Sequence, residues 1–328
     1  MAYTVSNYSW MMADEVRMSA YIRACERVIK PGSVVVDLGA GCGVIALIAC
    51  KLGASRVFAI EPNEAIAVGR TLAKANGYAD RITFLQMKSF DVTLPLPADV
   101  IVSDLRGVLP FVGGHIEAIV DARTRLLRPG GTLLPQRDVI YAAVVSAPEA
   151  YQELTHPWRQ DDFGLDLSAQ QRFLTESRSM PRISSDQLLT EPMVWCEIDY
   201  SKATDLNVSA DLRFPVAKAG LAHGVLVWFD AWLDEEVHFD GGPDSDLVVY
   251  GRSFFPFTDP IFLHLQDSVR LALSARRMGD SYVWRWATHV EDQNGVTKAQ
   301  FRQTTFNTEA PSPRQLREAA ARIDPSKA

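Results

Sequence analysis

Asp37, Gly39, Gly41, Gly43 and Glu61 stand together in one stretch, VVVDLGAGCGVIALIACKLGASRVFAIEPN, at residues 34–63. A glycine turn lets backbone approach a ligand closely, and a helix opening behind it adds unpaired N–H donors and partial positive charge. The glycines alternate as G-x-G-x-G, whereas dinucleotide folds space theirs G-x-G-x-x-G to seat a pyrophosphate. Asp37, two residues before the first glycine, would repel a pyrophosphate but can hold an ammonium group directly or through water. Glu61, followed by Pro62, ends the next apolar run, where its two oxygens can accept both hydroxyls of a ribose. An adenosine bearing a cationic amino acid meets these demands, which predicts S-adenosylmethionine as cofactor. The competing reading is that the glycines only close a tight turn and Asp37 caps the segment after it.

Such side chains need strand ends to hold them. Short β-branched runs alternate with helical stretches from Val34 to about Leu134: strands at 34–38, 56–60, 82–87, 98–103 and 131–134, helices at 43–52, 64–76 and 114–127. That alternation predicts βαβ units and a Rossmann-like parallel sheet. After Pro135 the texture changes to "DVIYAAVV", "MVWCEIDY", "NVSADLRF", "HGVLVWFDAWL", "DSVRLALSA", "SYVWRWATHV" and "KAQFRQTTF". Period-two runs separated by Gly, Pro and Asp predict an antiparallel sandwich or barrel-like domain. The fold class is therefore α/β plus β. Residues 1–30 are expected to be a helical segment, 31–135 the cofactor domain, and 136–306 the β domain. An arm is inserted at about 152–188, too long for a plain loop, whose Trp158, Phe163, Leu165, Leu167 and Phe173 need a surface to pack against. The tail, 307–328, carries a short helix with Ser312 as N-cap and Pro313 at its first position.

With 33 basic against 40 acidic residues, net charge −7, the chain as a whole has no electrostatic footprint for nucleic acid. Its cysteines (Cys25, Cys42, Cys50, Cys196) show no CxxC pairing and no histidine at metal-ligand spacing, which argues against a structural metal and for a reducing compartment. No stretch approaches the roughly 18 uninterrupted apolar residues of a membrane span, and no basic segment followed by an apolar core opens the chain. A soluble cytoplasmic protein is expected.

"DLGAGCGVIALIACKLGASRVFAIEPN" resembles the first two motifs of class I methyltransferases, and "MMADEVRMSAYIRACERVI" before it is similar to the N-terminal helix of the protein arginine methyltransferases. The resemblance implies a cofactor domain, a barrel-like β domain, and an inserted arm used to form a homodimer. It implies that Arg17 pairs with the cofactor carboxylate; an i, i+3 salt bridge with Asp14 is the plainer alternative. It also implies that the loop after the strand ending at Ser103, counted among the cofactor-binding residues, faces the transferred methyl. Two glutamates of the family grip a guanidinium from this loop. Here Asp104 takes the first position, Gly113 falls at the second, and Glu117 lies a helical turn beyond. Arg106 replaces an apolar residue of the family, either to bridge Asp104 or to recognise an anionic group. The family's Thr-His-Trp loop corresponds to "VVYGRSFFPFTD", with Tyr250 the nearest aromatic. In the adenine segment "FLQMKSFDV", Phe90 replaces a glutamate, leaving Lys88 and Ser89 to hold adenine through backbone.

Methyl transfer from a sulfonium asks little acid or base of an enzyme, so the demand is to orient and desolvate the acceptor. Asp104 is the first candidate for that role or for a base, and His115 the second, set against a reading of His115 as a surface histidine. The leading expectation is a methyltransferase acting on nitrogen or oxygen of a small molecule or modified peptide. The alternative is a true arginine methyltransferase using Asp104 with Glu117. A third is a catalytically silent cofactor-binding scaffold, and a dehydrogenase ranks last.

Overall fold

The computed structural model describes residues 4–156, 165, 170–205, 207–246 and 249–306. Two helices open it, α1 (Val5–Met12) and α2 (Glu15–Val28). Asp14 breaks them apart: its carboxylate accepts the Arg17 backbone N–H as the N-cap of α2. One continuous helix over this region would leave that donor competing with its own backbone ladder.

Then β1 (Val34–Leu38), α3 (Val44–Lys51), β2 (Arg56–Ile60), α4 (Ile66–Ala75), β3 (Ile82–Leu85), β4 (Ala98–Ser103), α5 (His115–Arg125) and β5 (Leu127–Leu134) follow in order. The strands pair in parallel in the order β3-β2-β1-β4-β5. This is the Rossmann-like sheet that the alternation predicts, with element ends mostly displaced by a residue or two. β1 is buried along its whole length, as its VVVDL sequence requires of a central strand. The strand order reverses between β1 and β4, and a crevice opens outside their C-terminal ends. Leu38 pairs with Ser103 there, so the glycine turn and the loop carrying Asp104 leave the sheet side by side.

Beyond Pro135 come β6 (Arg137–Val145), α6 (Pro148–Thr155), α7 (Gln171–Thr175), β7 (Met193–Asp199), β8 (Val208–Pro215), β9 (Gly220–Trp232), β10 (His238–Phe239), β11 (Ser253–Leu263), β12 (Ser268–Met278), β13 (Ser281–Glu291) and β14 (Thr297–Thr304). They form two antiparallel sheets, β10-β9-β6-β7 with β11 joined to β9, and β14-β13-β12-β8. Trp195 of β7 and Phe255 of β11 meet Trp284 of β13 at centroid separations of 5.6 and 5.2 Å, so the sheets share one aromatic core.

The sequence reading leaves out the two-residue β10 and the long β11. Pro256 and Pro260 of β11 lack the N–H a ladder needs, and the pairing slips between Pro256 and Ile261, where a bulge accommodates the break. Among the described arm residues, Leu165 and Phe173 are 61% and 56% exposed, which leaves their apolar surface uncovered within one chain. Trp158, Phe163, Leu167 and the tail helix with Ser312 and Pro313 lie outside the described residues. No helix among the described residues is long and apolar enough to cross a membrane.

Candidate active site

A cavity of about 700 Å³ fills the crevice at the ends of β1 and β4. Arg17, Asp37, Gly39, Gly41, Glu61, Pro62, Asp104 and Arg106 all line it. Gly39 and Gly41 hold φ of 77° and 51°, a left-handed backbone that disfavours side chains, and a Cβ at either would strike Leu105 or Tyr8. The glycines therefore let the wall of the crevice come close, with Leu105 of the acceptor-side loop and Tyr8 of α1 folded against it.

Both carboxylates at the strand ends are buried and oriented by backbone. Glu61 accepts N–H groups of Gly41 at 2.9 Å and Asn63 at 2.8 Å, one on each oxygen, which leaves further lone pairs for hydroxyl donors. One oxygen of Asp37 accepts the Ala46 N–H at 2.9 Å, in the first turn of α3. The capping alternative for Asp37 is thus part of its role, and the residue also faces the cavity. Burial pushes the Asp37 carboxyl up to about 7, with Glu61 adding to it and the Ala46 N–H opposing. Among the described residues, no cation is paired with this buried acid.

Asp104 has three donors. One oxygen accepts Arg17 Nη1 at 2.5 Å, and the other accepts Arg106 Nη1 at 3.2 Å and the Tyr250 hydroxyl. Burial pushes its carboxyl up, but the charges of Arg17 and Arg106 and the Tyr250 hydrogen bond outweigh that, leaving it below the usual carboxylate range. Arg17 also donates to the Met11 carbonyl at 2.5 Å, while its buried Nε has no hydrogen-bond partner. The predicted Asp14 ion pair is not what Arg17 makes: its guanidinium turns inward to Asp104, and Asp14 takes the Arg17 and Val249 backbone N–H groups.

Arg106 requires a correction. Its guanidinium is bidentate on Asp138 of β6, at 2.7 and 2.8 Å, with both side chains wholly buried, and Nη1 also donates to the Tyr21 hydroxyl at 2.9 Å. Arg106 does bridge Asp104, as one alternative held. Four of its five N–H donors go to acceptors within the protein, two of those acceptors being carboxylates, so its charge is already paired. Tyr200 donates to the same Asp138 at 2.6 Å and shares a hydrogen bond with His115 at 2.8 Å.

His115 is not a surface residue. It is 3% exposed, lies outside the cavity lining, and burial with the Arg106 charge depresses it to about 3. Its neutral imidazole is engaged by the Tyr200 hydroxyl. Its placement was encoded: His115, Ala118, Ile119 and Ala122 share one buried face of α5 at i, i+3, i+4 and i+7.

Gly43, Lys88, Ser89 and Ser103 also lie off the cavity lining. Gly43 caps α3 at φ 73°, and Ser89 is buried with its carbonyl accepting Arg125. The Ser103 carbonyl accepts the Tyr21 hydroxyl at 2.9 Å. Glu117 meets Arg277 at 2.8 Å instead of turning toward Asp104. Gly113 opens onto empty space, so the second carboxylate position is bare. The sequence reading missed Phe111, which sets its ring 5.3–5.7 Å from those of Trp195, Tyr282 and Trp284 and pins the acceptor-side loop into the β core.

Residues 136–283 match the model of the arginine methyltransferase oligomerization subdomain, and residues 18–141 that of the ribosomal protein L11 methyltransferase. The chain is 31% identical over 244 residues to probable protein arginine N-methyltransferase 6 of Arabidopsis thaliana, covering 72% of this chain and 54% of that protein. It is 26% identical over 259 residues to protein arginine N-methyltransferase 1 of Dictyostelium discoideum, covering 76% of each. The chain thus spans only about half the length of the former relative. Its fold is also that of the Trypanosoma brucei PRMT1 enzyme-prozyme heterotetramer, with a TM-score of 0.80 at 21% identity over 90% of this chain and 95% of that one. In sequence and in fold, the chain resembles the class I methyltransferases of the protein arginine methyltransferase family across both of its halves.

Proposed function

We propose that the chain binds S-adenosylmethionine in this cavity and transfers its methyl group to a guanidinium nitrogen of a protein or peptide arginine. The residues fit the cofactor: Asp37 pairs with no cation among the described residues, Glu61 keeps lone pairs for ribose hydroxyls, and the buried Arg17 has an unpartnered Nε for a carboxylate. When bound, the sulfonium supplies an activated methyl group. The chain's own residues then orient and desolvate the acceptor, with Asp104 as the group that touches it.

One observation carries the acceptor assignment. Asp104 already holds a guanidinium, that of Arg17, in the wall of the same cavity that Asp37 and Glu61 line. The names of the relatives support this, and the S-adenosylhomocysteine in the Trypanosoma complex supports the cofactor. Incubation with arginine-rich peptides and S-adenosylmethionine, read by mass spectrometry, should give 14-dalton guanidinium adducts that Asp104→Asn lowers about 100-fold in kcat/KM, about 3 kcal/mol for a charged contact.

The bare Gly113 and the engaged Glu117 favour a second reading, a small molecule or modified peptide methylated on nitrogen or oxygen. Cofactor turnover on such a pool with no methylated guanidinium would select it. A homodimer through the arm is part of the proposal, supported by the oligomerization-subdomain match and the exposed Leu165 and Phe173. The free thiols support a reducing, cytoplasmic setting.

A further inference from the structure

We propose that Asp138 is a positioning residue for methyl transfer: by holding the Arg106 guanidinium, it keeps the charge of Asp104 available to a cationic acceptor. The inference rests on the guanidinium reading of the site. Asp104 stands alone where a pair of carboxylates would grip a cation, and a second arginine two residues away faces it at 3.2 Å. Left to itself, that guanidinium would neutralise the one carboxylate the site has. Asp138, on a strand of the other half, offsets that charge with two shorter bonds of 2.7 and 2.8 Å in a pocket closed to water, while Nη1 keeps its longer contact to Asp104. Charge-assisted bidentate geometry at those lengths makes Asp138 the stronger of the two partners. Tyr200 fixes Asp138 in turn at 2.6 Å, and the Tyr21 hydroxyl accepts from Arg106 Nη1 at 2.9 Å.

Five groups stand around this pair of acids on the neighbouring elements. Arg17 and Tyr21 come from α2, and Tyr250 from the loop before β11, while Tyr200 joins His115 of α5 behind Asp138. Asp230 on β9 lies near enough to Asp138 to feel its charge. Among these, Arg17 is the cation with a second destination, the cofactor carboxylate. Once it is drawn there, Asp104 is left with Arg106 and Tyr250, and only Asp138 offsets Arg106. A cationic acceptor then meets a net negative charge.

The test is a split between acceptor KM and cofactor affinity. Asp138→Asn should raise KM for an arginine peptide at least 10-fold, while the Kd of S-adenosylhomocysteine stays within about two-fold of wild type. Arg106→Met with Asp138→Ala removes both charges together and should return KM to within about three-fold. An unchanged KM in Asp138→Asn, or a double variant as impaired as the single, overturns the proposal. A buried unpaired guanidinium can unfold a chain. If the single variant does not fold, the double variant decides alone: a KM more than 10-fold above wild type counts against the idea. A second readout needs no acceptor. The Asp104 carboxyl, followed by carbon-13 NMR and identified with Asp104→Asn, should titrate lower in Asp138→Asn than in wild type. A shifted titration in an enzyme that methylates no guanidinium would sink the assigned acceptor and keep the positioning role; an unshifted one would sink the role itself.

Discussion

The acid at position 37 makes the free protein less stable than it would be with a neutral residue there. Its folded value of about 7 exceeds the ordinary 3.8, so the folded state holds a proton that the unfolded state has released. The stability it contributes is full below about pH 4 and is lost as pH rises through about 7. Asp37→Asn should therefore raise the Tm of the ligand-free protein at pH 8 in a thermal scan, while weakening S-adenosylhomocysteine. In the wild type, affinity for that ligand should fall as pH drops from 8 to 6, because its ammonium needs the ionised acid; the Asn variant should show a flat profile. Calorimetric titration measures both, and a pH-independent wild type would remove Asp37 from the site. Arg17→Ala deletes charge-assisted bonds of about 1.5–3 kcal/mol, so the same titration should show about 10- to 100-fold weaker binding. Asp37 and Glu61 could be read because strand ends and a glycine turn lie within thirty residues of sequence. Arg106 could not, because its chief partner sits on another sheet and no local pattern announces it.

The parallel sheet was legible element by element, since each of its strands and helices carries its own period. β11 was not, because proline erases the pattern by which a strand is recognised, while a bulge lets the ladder continue around it. α5 was legible as a helix, while the burial of its histidine shows only in the spacing with Ala118, Ile119 and Ala122. The loop between β4 and α5 owes its shape to Phe111, which is 2% exposed and set edge-on against Trp195, Tyr282 and Trp284. Phe111→Ala should cost about 3–5 kcal/mol in chemical denaturation, the range for emptying a buried aromatic site. It should also loosen Asp104, so acceptor KM should rise in the variant under conditions where it remains folded. Loss of stability with an unchanged KM would show that the loop keeps its shape without this anchor.

Contacts between the two halves run through α2 as well as the acceptor loop: Arg27 pairs with Asp234 at 2.7 Å and with Glu236 at 2.6 Å, and Asp14 accepts the Val249 N–H. The molecule is also expected to pair with a copy of itself. Changing the exposed Leu165 and Phe173 to serine should shift sedimentation from dimer toward monomer; a double variant that sediments as wild type would move the interface elsewhere. The sequence announced both kinds of sheet but not how they are fastened, because the fastening is made by pairs 32 to 235 residues apart. The buried bond between Arg106 and Asp138 bears on how such a chain can change over generations. Replacing either residue alone would leave a buried charge unpaired, which couples the two halves at these positions. A library that shuffles halves between homologous chains should yield folded recombinants mainly where residues 106 and 138 come from the same parent.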